Sequence, residues 1–238
     1  MKSRVEAAGR QVWEILCHFL WPSTCPVCGR LGTVGCPSCL DGLLVGMQDR
    51  CLECGGGPFP CGIASHASFI RTGTWHEGKA RDVVHLAKYS GHRKLAFEMG
   101  KALARLYHED PGSVLVPVPL HKDSPRSYNQ AEWLARGMAR EWGATVLTGL
   151  EWTRSVHSQV GRNAFERRAL PKDAFRWRGS QVEAPVFLVD DVFTTGTTLL
   201  RASEALELSG VPLKGAYCWA MSPLEPLTVQ WREDAVHV

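Results

Sequence analysis

Residues 186–200 read VFLVDDVFTTGTTLL. An apolar run from Val186 to Val189 enters two carboxylates, Asp190 and Asp191, and then a loop made almost wholly of threonine and glycine. The following TTLLRASEALELSG has helical spacing of its apolar residues and ends at Gly210, so Thr194 to Thr198 form the loop that opens a helix. Backbone N–H groups at such a helix start bind a phosphate. Gly196 permits close backbone approach or a positive φ, and the hydroxyls of Thr194, Thr195, Thr197 and Thr198 add donors. A carboxylate pair beside this loop can accept hydrogen bonds from the vicinal hydroxyls of a sugar, directly or with Mg²⁺ between. Phosphate and sugar sites side by side suggest a sugar phosphate.

Two other readings compete. An apolar strand ending in two aspartates could be the magnesium strand of a P-loop ATPase, but G-x-x-x-x-G-K-S/T is absent from the chain. The stretch could also be a threonine-rich helix cap followed by nothing of chemical interest, with its acids in solvent.

Outward from this stretch, the chain alternates short apolar strands with helical patterns. ASFIRTGTW, 67–75, reads as a strand. From Lys79 a helical face carries Ala80, Val83, Val84 and Ala87, and after the YSG turn a second carries Leu95, Met99, Leu103 and Leu106. SVLVPVPL, 113–120, is a strand whose Pro117 and Pro119 cannot donate to a ladder, so it leaves the sheet there. A helix opening near Tyr128 buries Ala131, Leu134, Ala135 and Met138 and stops at Gly143, and ATVLT follows as a strand. This order predicts an α/β fold with a largely parallel sheet flanked by helices. In such sheets ligands bind outside the carboxyl ends of the strands, which is where Asp190 and Asp191 are expected.

The first 66 residues differ in kind. Residues 1–22 repeat Val5, Ala8, Val12, Ile15, Leu16 and Phe19 at helical spacing, predicting an amphipathic helix; the apolar stretch is too short to span a membrane and lacks a signal-peptide cleavage pattern. Seven of the nine cysteines lie between Cys25 and Cys61. Paired C-x-x-C turns suit a tetrahedral ion better than disulfides, because two thiolates on one tight turn face one metal. Cys25, Cys28, Cys36 and Cys39 make a complete set for structural Zn²⁺. Cys51, Cys54 and Cys61 make an incomplete one, with His66 as a candidate fourth ligand and a metal-free knuckle as the alternative. We therefore read 23–66 as a cysteine-rich zinc-ribbon module and 67–238 as the α/β domain. A net charge of +3 over 238 residues gives no bulk argument for nucleic acid or membrane.

Taken together, the cysteine pairs, LAKYSG around Lys88, the VPVPL…YNQA segment and VFLVDDVFTTGTT, in that order along nearly the whole chain, resemble the ComF family of competence-associated proteins. VFLVDDVFTTGTT is itself similar to the 5-phosphoribosyl-1-pyrophosphate (PRPP) motif of type I phosphoribosyltransferases. The resemblance implies a type I phosphoribosyltransferase-like fold with an N-terminal zinc ribbon. It implies that Asp190 and Asp191 hold the ribose hydroxyls with Mg²⁺, and that the TTGTT loop wraps the 5′-phosphate. PRSYNQA matches the family's pyrophosphate-side loop at Arg126, Asn129 and Gln130, with Ser127 in place of a glycine. SQVGRNAFERRALPKDAF matches its flexible loop at Gln159, Arg167, Ala174 and Phe175, with Leu170 where the family has Asn. That loop closes over the pyrophosphate in related enzymes, and its arginines suit the task.

Each binding residue also has a plain structural reading: Lys88 as a helix-end lysine, Asn129 as a helix cap, the RRALPK run as a solvated loop. The family resemblance implies a cytoplasmic role in natural competence and transformation, at the inner face of the membrane through partners, handling single-stranded DNA with competence helicase or recombination-mediator proteins. Trp75 near Lys79, and Trp177 between Arg176 and Arg178, could stack on bases. The alternative is a nucleotide-salvage phosphoribosyltransferase that displaces pyrophosphate from PRPP. No residue in the sequence is assignable to recognition of an acceptor base.

Overall fold

A computed structural model describes residues 23–153 and 170–223. The N-terminal helix expected over 1–22 and the 154–169 loop, with Gln159 and Arg167, lie outside the described residues. The chain is built around a six-stranded sheet in the order β1-β2-β8-β7-β3-β4. Its strands are β1 (Arg50–Cys51), β2 (Phe69–Trp75), β3 (Val114–Pro117), β4 (Thr145–Val146), β7 (Val186–Phe193) and β8 (Leu213–Met221). Every neighbouring pair is parallel except β1 with β2. A separate antiparallel pair, β5 (Leu150–Trp152) with β6 (Phe175–Trp177), flanks the segment that carries the 154–169 loop.

The near-continuous apolar runs in β3, β7 and β8 follow from burial on both faces. Leu115, Phe187, Val189, Tyr217 and Trp219 point to one side, into a core shared with α2 (Gly78–Tyr89), α3 (Arg93–Leu106) and α4 (Gln130–Trp142). Val114, Val116, Val186, Leu188, Ala216 and Cys218 alternate to the other, where α5 (Thr197–Glu207) and the β5/β6 pair cover them. This is the helix-flanked, largely parallel α/β architecture that the sequence predicts. Among the described residues no helix is long and apolar enough to cross a membrane.

Helices α3 and α4 touch through glycine. A Cβ added at Gly100 would lie 2.0 Å from the carbonyl oxygen of Leu134, and one added at Gly137 would lie 2.0 Å from that of Phe97. The backbones are therefore in direct contact, and neither helix can retreat without opening the core. Gly100→Ala should destabilise the chain by about 1–3 kcal/mol through overpacking. A thermal melt of the variant checks this, and an unchanged midpoint would mean the helices part more easily than their packing implies.

The cysteine-rich segment is continuous with this core. Leu40 of the short α1 (Pro37–Asp41) is completely buried and belongs to the α2–α4 side, with Val27, Val34, Leu43 and Leu44 packed around that side. Leu52 is buried on the opposite side. Residues 45–52 run along the outer edge of β2: the amides of Val45, Met47 and Leu52 donate to the carbonyls of Gly73, Thr72 and Ser68 at 2.9, 3.1 and 2.9 Å.

The topology fixes where a ligand can sit. From β3 the chain crosses through α4 to β4 on one side, and from β7 it crosses through α5 to β8 on the other. The two connections diverge, so a crevice opens between the carboxyl ends of β3 and β7. One detail differs from the sequence reading, which put the two aspartates at the strand tip. β7 runs on to Phe193, because β8 continues alongside and supplies ladder partners: Asp190 pairs with Cys218, Val192 with Ala220 and Phe193 with Met221.

Candidate functional site

Asp191 is buried, with one oxygen, Oδ1, 2.8 Å from the Nζ of Lys88 and the other, Oδ2, without a hydrogen-bond partner among the described residues. The backbone N–H of Asp191 donates to Oδ1 of Asp190 at 2.8 Å. Lys88 reaches the acids from the last turn of α2, where the helix dipole also favours a cation. Its helix-end position and its contact with the acid pair are thus the same fact.

Burial and the neighbouring charge of Asp191 push the Asp190 carboxyl up to about 7, against the pull of the Asp191 amide and the charges of Lys88 and Arg126. The folded chain therefore holds this proton over a range where the unfolded chain has lost it. Stability attributable to Asp190 is complete below the usual value of 3.8 and is lost as pH rises through about 7. Asp190→Asn should accordingly raise the melting temperature relative to wild type above about pH 7 and give no such gain below 3.8. Melting curves across that range check the sign.

Behind the acids, β7 ends and Gly196, at φ +78°, opens α5 in the left-handed region that glycine tolerates. As a glycine, Gly196 brings no side chain of its own to cap this helix. The hydroxyls of Thr195 and Thr197 lie 3.1 Å apart over the loop, and Thr194 is exposed. These are the residues that the sequence reading placed around a phosphate.

On the β3 side the sequence-derived residues separate into two groups. Arg126 is half-buried, with its guanidinium 5.6 Å from the ring centroid of Tyr89, and its charge reaches Asp190. Tyr128 donates from its hydroxyl to the carbonyl of Ala87, tying this loop to the end of α2. Asn129 is the N-cap of α4: its Oδ1 accepts from the Ala131 amide at 3.1 Å, and its Nδ2 donates to the Val118 carbonyl at 2.9 Å. Its side chain thus already serves the fold at both ends. Gln130 is buried, and its Oε1 has no partner among the described residues.

An open cleft of about 750 Å³ is lined by Arg81, His85, Lys88 and Tyr89 of α2, by His76 just after β2 and by Pro26 of the first C-x-x-C turn. Sequence reasoning missed His76, Arg81 and His85. Arg81, His85 and Lys88 are spaced i, i+4, i+7, one stripe of a helix, and this was the available signal. His76 follows directly on β2, and its amide donates to the Met221 carbonyl at 2.7 Å. Burial, then the charge of Lys88, hold its imidazole below the usual range, while Asp191 pulls the other way.

The proposed base-stacking tryptophans differ from each other. Trp75 is 40% exposed, but Trp177 lies against Gly179, where an added Cβ would fall 2.1 Å from the ring, and its Nε1 donates to the Ser180 carbonyl. Trp177 is anchored in the fold, with one flank taken by backbone.

Two further clusters have the chemistry of metal sites. The Sγ atoms of Cys25, Cys28, Cys36 and Cys39 all lie within 4.8 Å of one another, and those of Cys51, Cys54 and Cys61 do so with a ring nitrogen of His66. Tetrahedral Zn²⁺ with bonds of about 2.3 Å to sulfur sets sulfur pairs about 3.8 Å apart. Cys28 and Cys36 are 3.7 Å apart. His66 Nδ1 is 3.4 Å from the sulfur of Cys51 and 3.3 Å from that of Cys61, again the spacing of ligands around one ion rather than of a disulfide. The described cysteines are free thiols. Their titration is uneven. Burial raises the Cys25 thiol, but the amides of Cys36, Cys28 and Val27 outweigh it and bring it to about 6, while Cys39, beside Cys28, is pushed up to about 12. The four thiolates of the first set cannot coexist without a cation, and the three sulfurs and one imidazole of the second make an ordinary zinc set, so both fit zinc. Purified protein should contain two zinc ions per chain, and His66→Ala should leave one. Metal analysis decides, and a single ion in the wild type would return the second knuckle to the metal-free reading.

No family model matches the chain. Two curated proteins do. Competence protein F of Haemophilus influenzae is 37% identical over 103 residues, covering 41% of this chain and 45% of that protein. Competence protein ComFC of Streptococcus pneumoniae is 27% identical over 184 residues, covering 76% of this chain and 78% of that protein. Both relatives are competence proteins, and their similarity supports a ComF family assignment. The match takes in less than half of the Haemophilus protein and more than three quarters of the Streptococcus one. Among the described residues, the acid pair lies on β7, the strand that borders the switch-point crevice with β3, and the threonine loop follows it directly.

Proposed function

We propose that this ComF protein binds PRPP in the crevice between β3 and β7 and serves natural competence, as a cytoplasmic factor that handles incoming single-stranded DNA. The observation that carries the PRPP reading is the acid pair at the switch point, with a buried carboxylate oxygen that lacks a partner among the described residues, directly ahead of a glycine-opened, threonine-rich helix start. Asp190 and Asp191 accept from the ribose hydroxyls and would hold Mg²⁺. Thr194, Thr195, Gly196, Thr197 and Thr198 hold the 5′-phosphate. Lys88 and Arg126 face the pyrophosphate, and Gln159 and Arg167 complete that side by family resemblance. When bound, Mg²⁺ supplies positive charge against the leaving pyrophosphate. The competence assignment rests on the names of the two relatives, both competence proteins. Partners of the DNA-uptake and recombination machinery would bring the protein to the inner face of the membrane.

A second reading, a salvage phosphoribosyltransferase, is favoured by the same acid pair, which could hold the ribose hydroxyls and Mg²⁺ while pyrophosphate departs. Displacement at the anomeric carbon would pass through an oxocarbenium-like state, with cations stabilising the departing charge. The test is direct: titrate the full chain with PRPP and Mg²⁺, then screen purine and pyrimidine bases for pyrophosphate release. Tight binding without release supports the competence module. Release with one base supports salvage, and no binding refutes both.

A further inference from the structure

Lys88 stands on the carboxylate that the ligand is proposed to use. Its ammonium lies 2.8 Å from Asp191 Oδ1, its side chain is 20% exposed, and that of Asp191 only 9%. The remaining oxygen, Oδ2, has no partner among the described residues. A divalent cation taking Oδ2 would come within a few ångström of the ammonium in a poorly solvated setting, where like charges repel strongly. The two cations cannot share this carboxylate at full strength.

We propose that Lys88 is an exchangeable counter-ion: it neutralises Asp191 while the site is empty, and an arriving divalent cation displaces it into the adjoining cleft. This inference rests in part on the PRPP reading, because PRPP would arrive with the cation. The geometry allows the exchange. Lys88 is in the last turn of α2, where its four-carbon stem can swing without unwinding the helix. The cleft that Lys88 already lines, and further into which it would turn, has about 750 Å³ of space and also carries Arg81, His76 and His85, with Asp82 the lining residue of opposite charge. An anion is the complement of that lining. In the empty site the pair Lys88–Asp191 balances charge. In the filled site the metal balances the acids and the freed ammonium balances the phosphates, so no charge is left buried alone in either state.

Two measurements test the exchange without relying on turnover. In the wild type, reductive methylation of Lys88 followed by mass spectrometry should accelerate at least threefold on adding Mg²⁺ alone. Lys101, ion-paired to Glu98 at 3.3 Å on α3, serves as the unmoved reference. In Lys88→Met, Mn²⁺ binding read by electron paramagnetic resonance at alkaline pH should tighten at least tenfold. A Lys88 rate unchanged by Mg²⁺ overturns the proposal, as does Mn²⁺ affinity in the variant equal to or weaker than in the wild type. Should Lys88→Met fail to fold, the methylation arm decides alone. PRPP affinity of the wild type, measured separately, keeps the two readings apart. Metal-driven release of Lys88 without PRPP binding sinks the PRPP reading and leaves the exchange standing, whereas PRPP binding with an unmoved Lys88 sinks the exchange only.

Discussion

Asp190→Asn together with Asp191→Asn should weaken the proposed PRPP binding at least a hundredfold, about 2.8 kcal/mol. Asparagine keeps the size and much of the hydrogen-bonding capacity of aspartate, so the loss isolates charge. Each charge-assisted contact to a ribose hydroxyl or metal is worth about 1.5–3 kcal/mol, and the double variant removes two. The fold should survive, because Asp191 loses its need for a counter-charge at the same time as it loses its charge, and Lys88 is near enough to the cleft to find water. Isothermal titration with PRPP and Mg²⁺ reads the effect, and zinc content and circular dichroism confirm an intact chain. A double variant that binds as tightly as the wild type would reduce the acids to a polar length of strand. Transformation of a naturally competent host carrying the variant adds a second reading: normal transformation with lost binding would separate the pocket from the DNA role.

Cys36→Ser releases the first zinc and unsettles the core of the whole chain. The variant should hold one ion per chain where the wild type holds two. Structural zinc contributes folding free energy outright, about 10–16 kcal/mol in isolated zinc fingers, though only part of that would be felt by a segment with other anchors. Here Cys36 is the N-cap of α1, whose Leu40 is wholly buried against the α2–α4 side. An added Cβ at the preceding Gly35 would meet Leu95 at 2.9 Å, so the knuckle fits tightly on α3. Releasing it exposes that seam. A chelator series followed by melting should show the same loss in the wild type, and because protons compete for the thiolates, zinc should leave more readily as pH falls. Unchanged stability with the first ion gone would show that the knuckle rides on the core without supporting it.

The parts of this structure that were legible in the sequence are those fixed by period and burial. β3 and the first four residues of β7 stand out as apolar runs because helices cover both of their faces, and α2 to α4 stand out because only one stripe of each is buried, whereas β8 was not read as a strand. The extension of β7 past the acids was not legible, since it depends on the length of β8, a strand more than twenty residues further on. Asn129 shows a second kind of limit: the same residue type suits a ligand contact and an N-cap, and only the position of Val118 shows its amide committed to the fold. His66 shows a third. Its spacing from Cys61 breaks the C-x-x-C rhythm, yet the chain folds back so that its ring stands among three sulfurs. His76, Arg81 and His85 became visible only when the cleft assembled them.

The strand-like course of residues 45–52 along β2 has a consequence for how the chain can be divided. β2 is seven residues long, and its neighbour on the outer side is this stretch of the cysteine-rich segment, joined by the Val45, Met47 and Leu52 amides. A fragment that began at residue 67 would present the bare rim of an otherwise parallel sheet, with Phe69 to Trp75 offering unpaired donors and acceptors to any passing chain. Such a fragment should self-associate on standing, and restoring residues 45–66 should suppress it. The cysteine-rich region thus acts as a selvedge, finishing the border of the sheet against the wrong kind of company.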